Sequence, residues 1–229
     1  MIRVKICGIR DPETALAAVA AGADALGFLF APGRRRVAPG EARAIVAALP
    51  PFVLTVGVFV DAPLSEVLEI ADLCRLHAVQ LHGREPPEYC RAVPRPVIKA
   101  FHLPPADETL DDEEAAARAD AILAMAGRYD PCAVLLDTGT PEHPGGTGRP
   151  GNRRVARLVA ARRPVVLAGG LNPDNVAEAV RLVRPCGVDV SSGVETDGRK
   201  DPEKILAFVA RAKQALYAAG QHATPGAPR

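Results

Sequence analysis

Residues 54–60 read LTVGVFV and residues 62–76 read APLSEVLEIADLCRL, and this pair of segments decides the fold. The first segment is a short, nearly continuous apolar run, which is typical of a strand that is buried on both faces. The second carries apolar residues at helical spacing and has a proline near its start, which favours a helix. Together the two segments predict one β-strand followed by one α-helix.

The same unit recurs along the chain. Short β-rich runs alternate with Ala-, Glu-, Leu- and Arg-rich segments of helical spacing, and prolines at 12, 63, 173 and 202 mark helix starts. Eight such units predict a parallel sheet that closes into a single (β/α)8 TIM barrel, with a doubly wound open sheet as the alternative. The eight β-rich runs lie at 3–8, 25–30, 54–60, 78–83, 97–102, 133–138, 164–170 and 187–193.

The limits of the barrel follow from composition. No linker divides the chain before its C-terminal end, where residues 220–229 read GQHATPGAPR. Proline and glycine are frequent there and apolar residues are few, which is typical of a disordered segment. We predict one catalytic barrel domain over residues 1–217 and a disordered tail over residues 218–229.

Composition and charge narrow the class of protein. Hydrophobic residues make up 48% of the 229 residues, charged residues make up 24%, and the net charge is +1, so neither nucleic acid nor a membrane surface is expected as a partner. Five scattered cysteines argue against a disulfide framework and a zinc cluster. We see no signal-peptide pattern and no run of about 18 apolar residues. These features predict a cytoplasmic protein with reduced thiols.

The common direction of the strands in a barrel separates the five cysteines by their position. Catalytic groups of such barrels lie at the C-terminal ends of the strands, whereas the N-terminal ends serve stability. Cys7 stands at a C-terminal strand end, while Cys132 and Cys186 precede strands and Cys74 and Cys90 fall in helical segments. Cys7 is therefore the candidate reactive thiol.

The ends of strands 7 and 8 predict a phosphate site. Residues 167–175 read LAGGLNPDN and residues 188–195 read VDVSSGVE, which place glycines, serines and free amides after these strands. Barrels frequently bind phosphate at this place. Asp189 is expected to point inward, because its strand neighbours are valines. The predicted phosphate-binding residues are Gly169, Gly170, Ser191, Ser192 and Gly193.

Strands 2, 4 and 6 end in further candidates. Asp137 follows two leucines, and burial favours a neutral carboxyl group that can donate a proton; the glycine-rich residues 141–148 after it could fold over a substrate. Residues 31–39 read APGRRRVAP, and one of these arginines could clamp a substrate carboxylate. His82, together with His102, Asp61 and Asp137, could instead form a metal site.

At these residues the chain resembles the phosphoribosylanthranilate isomerase family of tryptophan biosynthesis. The matching segments run in order over about 200 residues and lie at the ends of predicted strands. They are KICGIRDPETA (5–15), GADALGFLF (22–30), VGVFVD (56–61), AVQLHG (78–83), LLDT (135–138) with GGTG (145–148), GGLNPDNV (169–176) and VDVSSGVE (188–195).

The resemblance implies an Amadori rearrangement of N-(5-phosphoribosyl)anthranilate to 1-(2-carboxyphenylamino)-1-deoxyribulose 5-phosphate, without cofactor or metal. It implies that Cys7 is the general base and Asp137 the general acid, and that Arg35, or else Arg36, holds the substrate carboxylate. The loops after strands 7 and 8 would hold the 5-phosphate, and His82 and Asp189 would complete the substrate site. We expect a monomer or a homodimer with a small phosphoribosyl substrate.

Two segments depart from the family pattern. Gly33 replaces a serine before the arginines, and RPGNRRVAR at 149–157 replaces an aromatic and acidic run. Two neighbours of Cys7 carry further hypotheses, because Lys5 on the same side of the strand could lower the pKa of the thiol and Gly8 could leave room for the sugar. A metal-dependent pentose-phosphate epimerase and a non-catalytic phosphosugar-binding barrel remain as alternatives.

Overall fold

The computed structural model describes residues 2–107, 109–129, 131, 133–138 and 151–215. The predicted domain limit at residue 217, the tail at 218–229 and the glycine-rich residues 141–148 lie outside these ranges. Within them, eight parallel strands form a closed barrel in sequence order. They are β1 (Arg3–Cys7), β2 (Ala25–Leu29), β3 (Leu54–Phe59), β4 (Ala78–Leu81), β5 (Val97–His102), β6 (Ala133–Asp137), β7 (Val165–Leu167) and β8 (Gly187–Val190).

A helix follows each strand and covers the outside of the barrel. A one-turn 3₁₀ helix (Ser192–Val194) and a hairpin of β9 (Glu195–Thr196) and β10 (Arg199–Lys200) separate β8 from the last helix. The helices are α1 (Pro12–Ala20), α2 (Pro39–Ala47), α3 (Leu64–Leu73), α4 (Pro87–Ala92), α5 (Asp112–Gly127), α6 (Arg153–Ala160), α7 (Val176–Val183) and α8 (Pro202–Gln214).

The pairing of β1 closes the barrel. Lys5 lies opposite Ala25 of β2 on one side and opposite Asp189 of β8 on the other. Each of the other seven strands also has a partner on both sides, so the eight-stranded sheet has no edge and cannot be open. The predicted (β/α)8 barrel is therefore confirmed, and the doubly wound alternative is wrong.

Two layers of apolar side chains form the core. The larger layer fills the space between strands and helices and includes Val4, Ile6, Leu26 and Phe208. The smaller layer lies inside the barrel and consists of Ala25, Val56, Ala78, Ile98, Leu135 and Ala168. Because these inner side chains are mostly small, the barrel interior also accommodates the polar side chains that build the site.

One helix begins later than predicted. Proline 173 was expected to open a helix, but α7 begins at Val176. The carboxamide oxygen of Asn172 accepts the amides of Asp174 and Asn175 at 2.9 and 3.1 Å, and this turn holds residues 172–175 outside the helix. The loop after β7 therefore extends to Asn175. Among the residues described, no helix has the length and apolar character needed to cross a membrane.

Candidate active site

The first group of candidate residues stands on β1, β2 and β8. The ammonium group of Lys5 donates to Oδ1 of Asp189 at 3.0 Å, and the two side chains are only 6% and 9% exposed. Asp189 thus points inward as predicted. Cys7 lies opposite Gly27 in register, and a Cβ on Gly27 would stand 2.8 Å from Sγ of Cys7 and 3.1 Å from Nζ of Lys5. The missing side chain of Gly27 therefore makes room for the thiol and the ammonium group together.

The charges around Cys7 oppose one another. Burial raises the pKa of the Cys7 thiol, Lys5 and Lys200 act to lower it, and Asp189 acts to raise it. Burial would lower the pKa of Lys5, but the charges of Asp189 and Cys7 hold it above its ordinary value. Lys5 therefore acts on the pKa of the thiol in the predicted direction, but desolvation by burial outweighs its effect.

The second group stands on β4 and β6. Asp137 ends β6, is 8% exposed, and places Oδ2 at 3.4 Å from Nε2 of His82. Nδ1 of His82 lies in turn 2.9 Å from the side-chain nitrogen of Gln80. Oδ1 of Asp137 is buried and has no hydrogen-bond partner among the described residues. A buried carboxyl oxygen of this kind is costly unless it carries a proton or meets a ligand.

The third group is formed by the loops after β7 and β8. Both glycines after β7 have left-handed backbone angles, with φ of 84° at Gly169 and 61° at Gly170, which L side chains rarely adopt. A Cβ on Gly193 would overlap the carbonyl oxygen of Leu171, so the two loops touch through their backbones. A cavity of about 50 Å³ lies between them and is lined by Asp137, Ala168, Gly169, Gly170, Leu171, Asp189, Val190, Ser191, Ser192 and Gly193.

The hydroxyl of Ser191 makes a hydrogen bond to the end of β1. Its Oγ donates to the carbonyl oxygen of Cys7 at 3.1 Å, which ties the loop after β8 to the end of β1. The five predicted phosphate residues thus lie together, and they border the cavity shared with Asp137 and Asp189.

The arginines after β2 separate into different environments. Arg35 lies over Gly8, because a Cβ on Gly8 would stand 2.8 Å from Cδ of Arg35. Arg36 instead lines an outer cleft of about 940 Å³ beside α1 and the β9–β10 hairpin. Gly8 has a φ of 83°, so the space beside it serves Arg35 and a left-handed backbone. Contact with Arg35 and the left-handed backbone are thus two reasons for glycine at this position, and the hypothesis that Gly8 makes room for the sugar stays a prediction.

Sequence reasoning missed the carboxylate that holds Arg35. Nε and Nη2 of Arg35 donate to Oε1 and Oε2 of Glu195 at 2.7 and 3.0 Å. Lys200 donates to Oε1 of Glu195 at 3.0 Å and to the carbonyl oxygen of Ser191 at 2.8 Å. Burial would raise the pKa of Glu195, but Arg35 and Lys200 bring it down to about 2. Glu195 ends the quoted motif VDVSSGVE, but its cationic partners come from two other segments of the chain.

The proposed metal ligands do not assemble. Asp61 accepts the backbone N–H of Arg84, and His102 is exposed at the end of β5. Within the described part of the chain, no group of three or more His, Cys, Asp or Glu side chains is close enough together to hold a metal ion. His82 and Asp137 thus form a pair.

Comparisons with known proteins agree on one family. The family model for N-(5'-phosphoribosyl)anthranilate isomerase matches residues 4–211. The chain is 55% identical over 216 residues to the isomerase of that name from Desulforudis audaxviator, which covers 94% of this chain and 100% of the relative.

Solved structures of the same family superpose well. The enzyme from Thermotoga maritima gives a TM-score of 0.80 at 43% identity, and monomers generated from the dimeric enzyme of that organism give 0.76 at 39%. A phosphoribosylanthranilate isomerase in complex with reduced 1-(o-carboxyphenylamino)-1-deoxyribulose 5-phosphate gives 0.72 at 41%. Each comparison covers 93% of this chain and 99% of the other.

Proposed function

Because the chain belongs to the N-(5'-phosphoribosyl)anthranilate isomerase family of tryptophan biosynthesis, we propose that it rearranges N-(5-phosphoribosyl)anthranilate with Cys7 as general base and Asp137 as general acid. One observation carries the proposal. The buried carboxyl of Asp137 borders the cavity between the loops after β7 and β8, and the loop after β8 is bonded to Cys7. A sugar phosphate bound in these loops would lie between an acid and a base.

Two of the proton transfers in the reaction involve side chains of the protein. Asp137 donates a proton to the furanose ring oxygen, the C1–O bond breaks, and the nitrogen lone pair forms a C1=N iminium group. The thiolate of Cys7 then takes the C2 proton, and the electrons of that C–H bond neutralise the iminium to give an aminoenol. The aminoenol becomes the ketone by moving its hydroxyl proton to C1. Both catalytic groups must start in the correct protonation state, which needs two different environments.

The remaining residues bind the two anionic ends of the substrate. Arg35 uses Nε and Nη2 for Glu195, which leaves Nη1 to donate to the substrate carboxylate. Arg36 is the alternative, because it lines the outer cleft. The 5-phosphate would accept hydrogen bonds from the backbone amides of the two glycine-containing loops and from the Ser192 hydroxyl. Asp189 contributes through its hydrogen bond with Lys5, and His82 contributes through its contact with Asp137.

An activity assay tests the proposal. The loss of phosphoribosylanthranilate fluorescence is followed with the wild type and with Cys7→Ser and Asp137→Asn, in the presence of EDTA. The wild type should be active, and each variant should lose about 10²- to 10⁴-fold in kcat, the usual contribution of one general acid or base. Cys186→Ser, which removes an exposed thiol at the opposite end of the barrel, is the matched control.

Two results would contradict the proposal. A wild type that neither converts the substrate nor complements an auxotroph lacking the isomerase removes the function. A Cys7→Ser variant as active as Cys186→Ser removes only the base.

We further propose that the protein forms a homodimer through its N-terminal barrel face. Phe52 is fully exposed on the loop before β3, where it has a φ of 69°. Beside it lies a cavity of about 410 Å³, lined in part by Arg3, Leu54 and His77. A fully exposed phenylalanine beside a cavity fits a two-fold interface in which each copy inserts its ring into the other. The relative from Thermotoga maritima described as dimeric supports this proposal.

A further inference from the structure

Gln80 is an unusual residue for the middle of a barrel strand. It lies on β4 between Val58 of β3 and Ile98 of β5 and is 1% exposed. Burial of an amide costs free energy unless hydrogen bonds replace those made to water. The described residues offer its side chain one such bond, to Nδ1 of His82 at 2.9 Å, and its Oε1 has no partner among them. The buried amide of Gln80 thus makes one side-chain hydrogen bond among the described residues.

That contact decides which ring nitrogen of His82 carries the proton. Side chains two residues apart on a strand share a face, so Gln80 stands beneath His82 inside the barrel. An amide NH₂ that donates to Nδ1 requires Nδ1 to be the acceptor, and the neutral ring then carries its proton on Nε2. Nε2 is the nitrogen that faces Oδ2 of Asp137.

We propose that Gln80 is a positioning residue for proton transfer by Asp137, through the tautomer of His82. The inference rests on the proposed function. With that tautomer, the Nε2–H of His82 faces Oδ2 of Asp137 at a distance of 3.4 Å between the heavy atoms. Once Asp137 has given its proton to the ring oxygen of the substrate, the new carboxylate accepts the Nε2–H, and this distance should shorten as the charge develops.

The opposite amide orientation would work against the acid. With Oε1 of Gln80 toward His82, Nδ1 would carry the proton and the lone pair of Nε2 would face Asp137. No donor of His82 would then face Oδ2, and the carboxylate that forms after proton transfer would meet a lone pair instead. The tautomer of His82 therefore decides whether this histidine stabilises the carboxylate of Asp137.

The first test is a spectroscopic one on the wild type. The ¹⁵N chemical shifts of the imidazole nitrogens are recorded at neutral pH, and the signals of His82 are identified by their loss in His82→Asn. We expect the Nε2–H tautomer. The Nδ1–H tautomer in the wild type would overturn the proposal, whatever the activity of the protein.

The second test is kinetic. Gln80→Met keeps the size of the side chain and removes the donor, and the ionised carboxylate of Gln80→Glu supplies only acceptors and so favours a proton on Nδ1. We expect kcat to fall roughly tenfold in the methionine variant and roughly a hundredfold in the glutamate variant, by analogy with the range seen for hydrogen-bond partners of metal-ligating histidines. KM should change less than about threefold, because neither variant alters the carboxylate or phosphate contacts.

Thr55→Val is the matched control. The hydroxyl of Thr55 contacts Nδ1 of His77 at 2.7 Å. Thr55 is as buried as Gln80 but lies at the opposite end of the barrel. This variant should lose stability and keep its kcat. If the two Gln80 variants have equal kcat values, or lose kcat only in proportion to their folded fraction, the role of Gln80 is structural and the proposal fails. A wild type with the Nε2–H tautomer but without isomerase activity would contradict the proposed function alone.

Discussion

At the scale of the residue, Cys7 shows how neighbours compete over one proton. Desolvation favours the thiol, and the ammonium groups of Lys5 and Lys200 favour the thiolate that a general base must provide. A buried cysteine with an adjacent lysine is thus an inactive base at low pH that becomes active as pH rises. The rate of the proposed reaction should increase with pH through the titration of this thiol.

Lys5→Met tests that competition. The substitution removes a nearby positive charge, so the pKa of Cys7 should rise further. The transition in which kcat/KM increases with pH should therefore move to higher pH. The profile is measured by the fluorescence assay. Lys213→Met is the control, because it removes a lysine that pairs with Asp24 at 3.2 Å near the N-terminal ends of the strands. The pH of the transition should not change in this variant. An unchanged transition in Lys5→Met would exclude the electrostatic role of Lys5.

Substitution by lysine shows which of Arg35 and Arg36 holds the substrate carboxylate. Lysine preserves the charge but cannot make the paired bonds of a guanidinium group. Arg35→Lys should raise KM by roughly tenfold, the loss of about one charge-assisted hydrogen bond, because its Glu195 anchor and substrate contact are both weakened. Arg36→Lys should change KM little. The reverse result would assign the carboxylate to Arg36.

At the scale of the element, the loops after β7 and β8 act as one unit. Their backbones meet where Gly193 approaches Leu171, and the β9–β10 hairpin returns Lys200 to the carbonyl of Ser191. A short helix or hairpin of this kind would have little stability alone. The two loops proposed to bind phosphate are therefore held by the contacts between elements.

Gly193→Ala should separate the two loops. The added methyl group would overlap Leu171, so the backbone must move and the amides for phosphate lose their alignment. We expect kcat/KM to fall more than tenfold and competitive inhibition by inorganic phosphate to weaken. Gly40→Ala is the matched control, since nothing lies within 4 Å of its added methyl group. In α2 that change should raise stability by about 0.5–1 kcal/mol and leave kinetics unchanged. Equal kinetics in both variants would contradict a role for the loop contact.

At the scale of the whole molecule, closure of the barrel brings together residues from the two ends of the chain. Lys5 and Asp189 are 184 positions apart and form one buried pair. Closure also separates two faces, with the candidate site at the C-terminal ends of the strands and Phe52 with its cavity at the other face. The proposed active site and the proposed dimer interface therefore lie on opposite surfaces.

Phe52→Glu should yield a monomer. A charged side chain cannot enter the apolar part of a partner's cavity without losing its hydration. Sedimentation velocity at micromolar concentration measures the state of both proteins, and Leu206→Glu on an exposed position of α8 is the control. A monomeric wild type, or a dimeric Phe52→Glu variant, would refute the proposed interface.

The sequence by itself determined the barrel, the order of its eight units and the strand ends at which Cys7, Asp137 and the phosphate residues lie. These features follow from periodicity, from glycine and proline positions, and from the common direction of parallel strands. Only the tertiary structure decided that Arg35 rather than Arg36 packs over Gly8, that Glu195 and Lys200 belong to the site, and that Gln80 contacts His82. Closure of the barrel joins side chains from distant segments, and their distances and burial decide protonation, which no local pattern encodes.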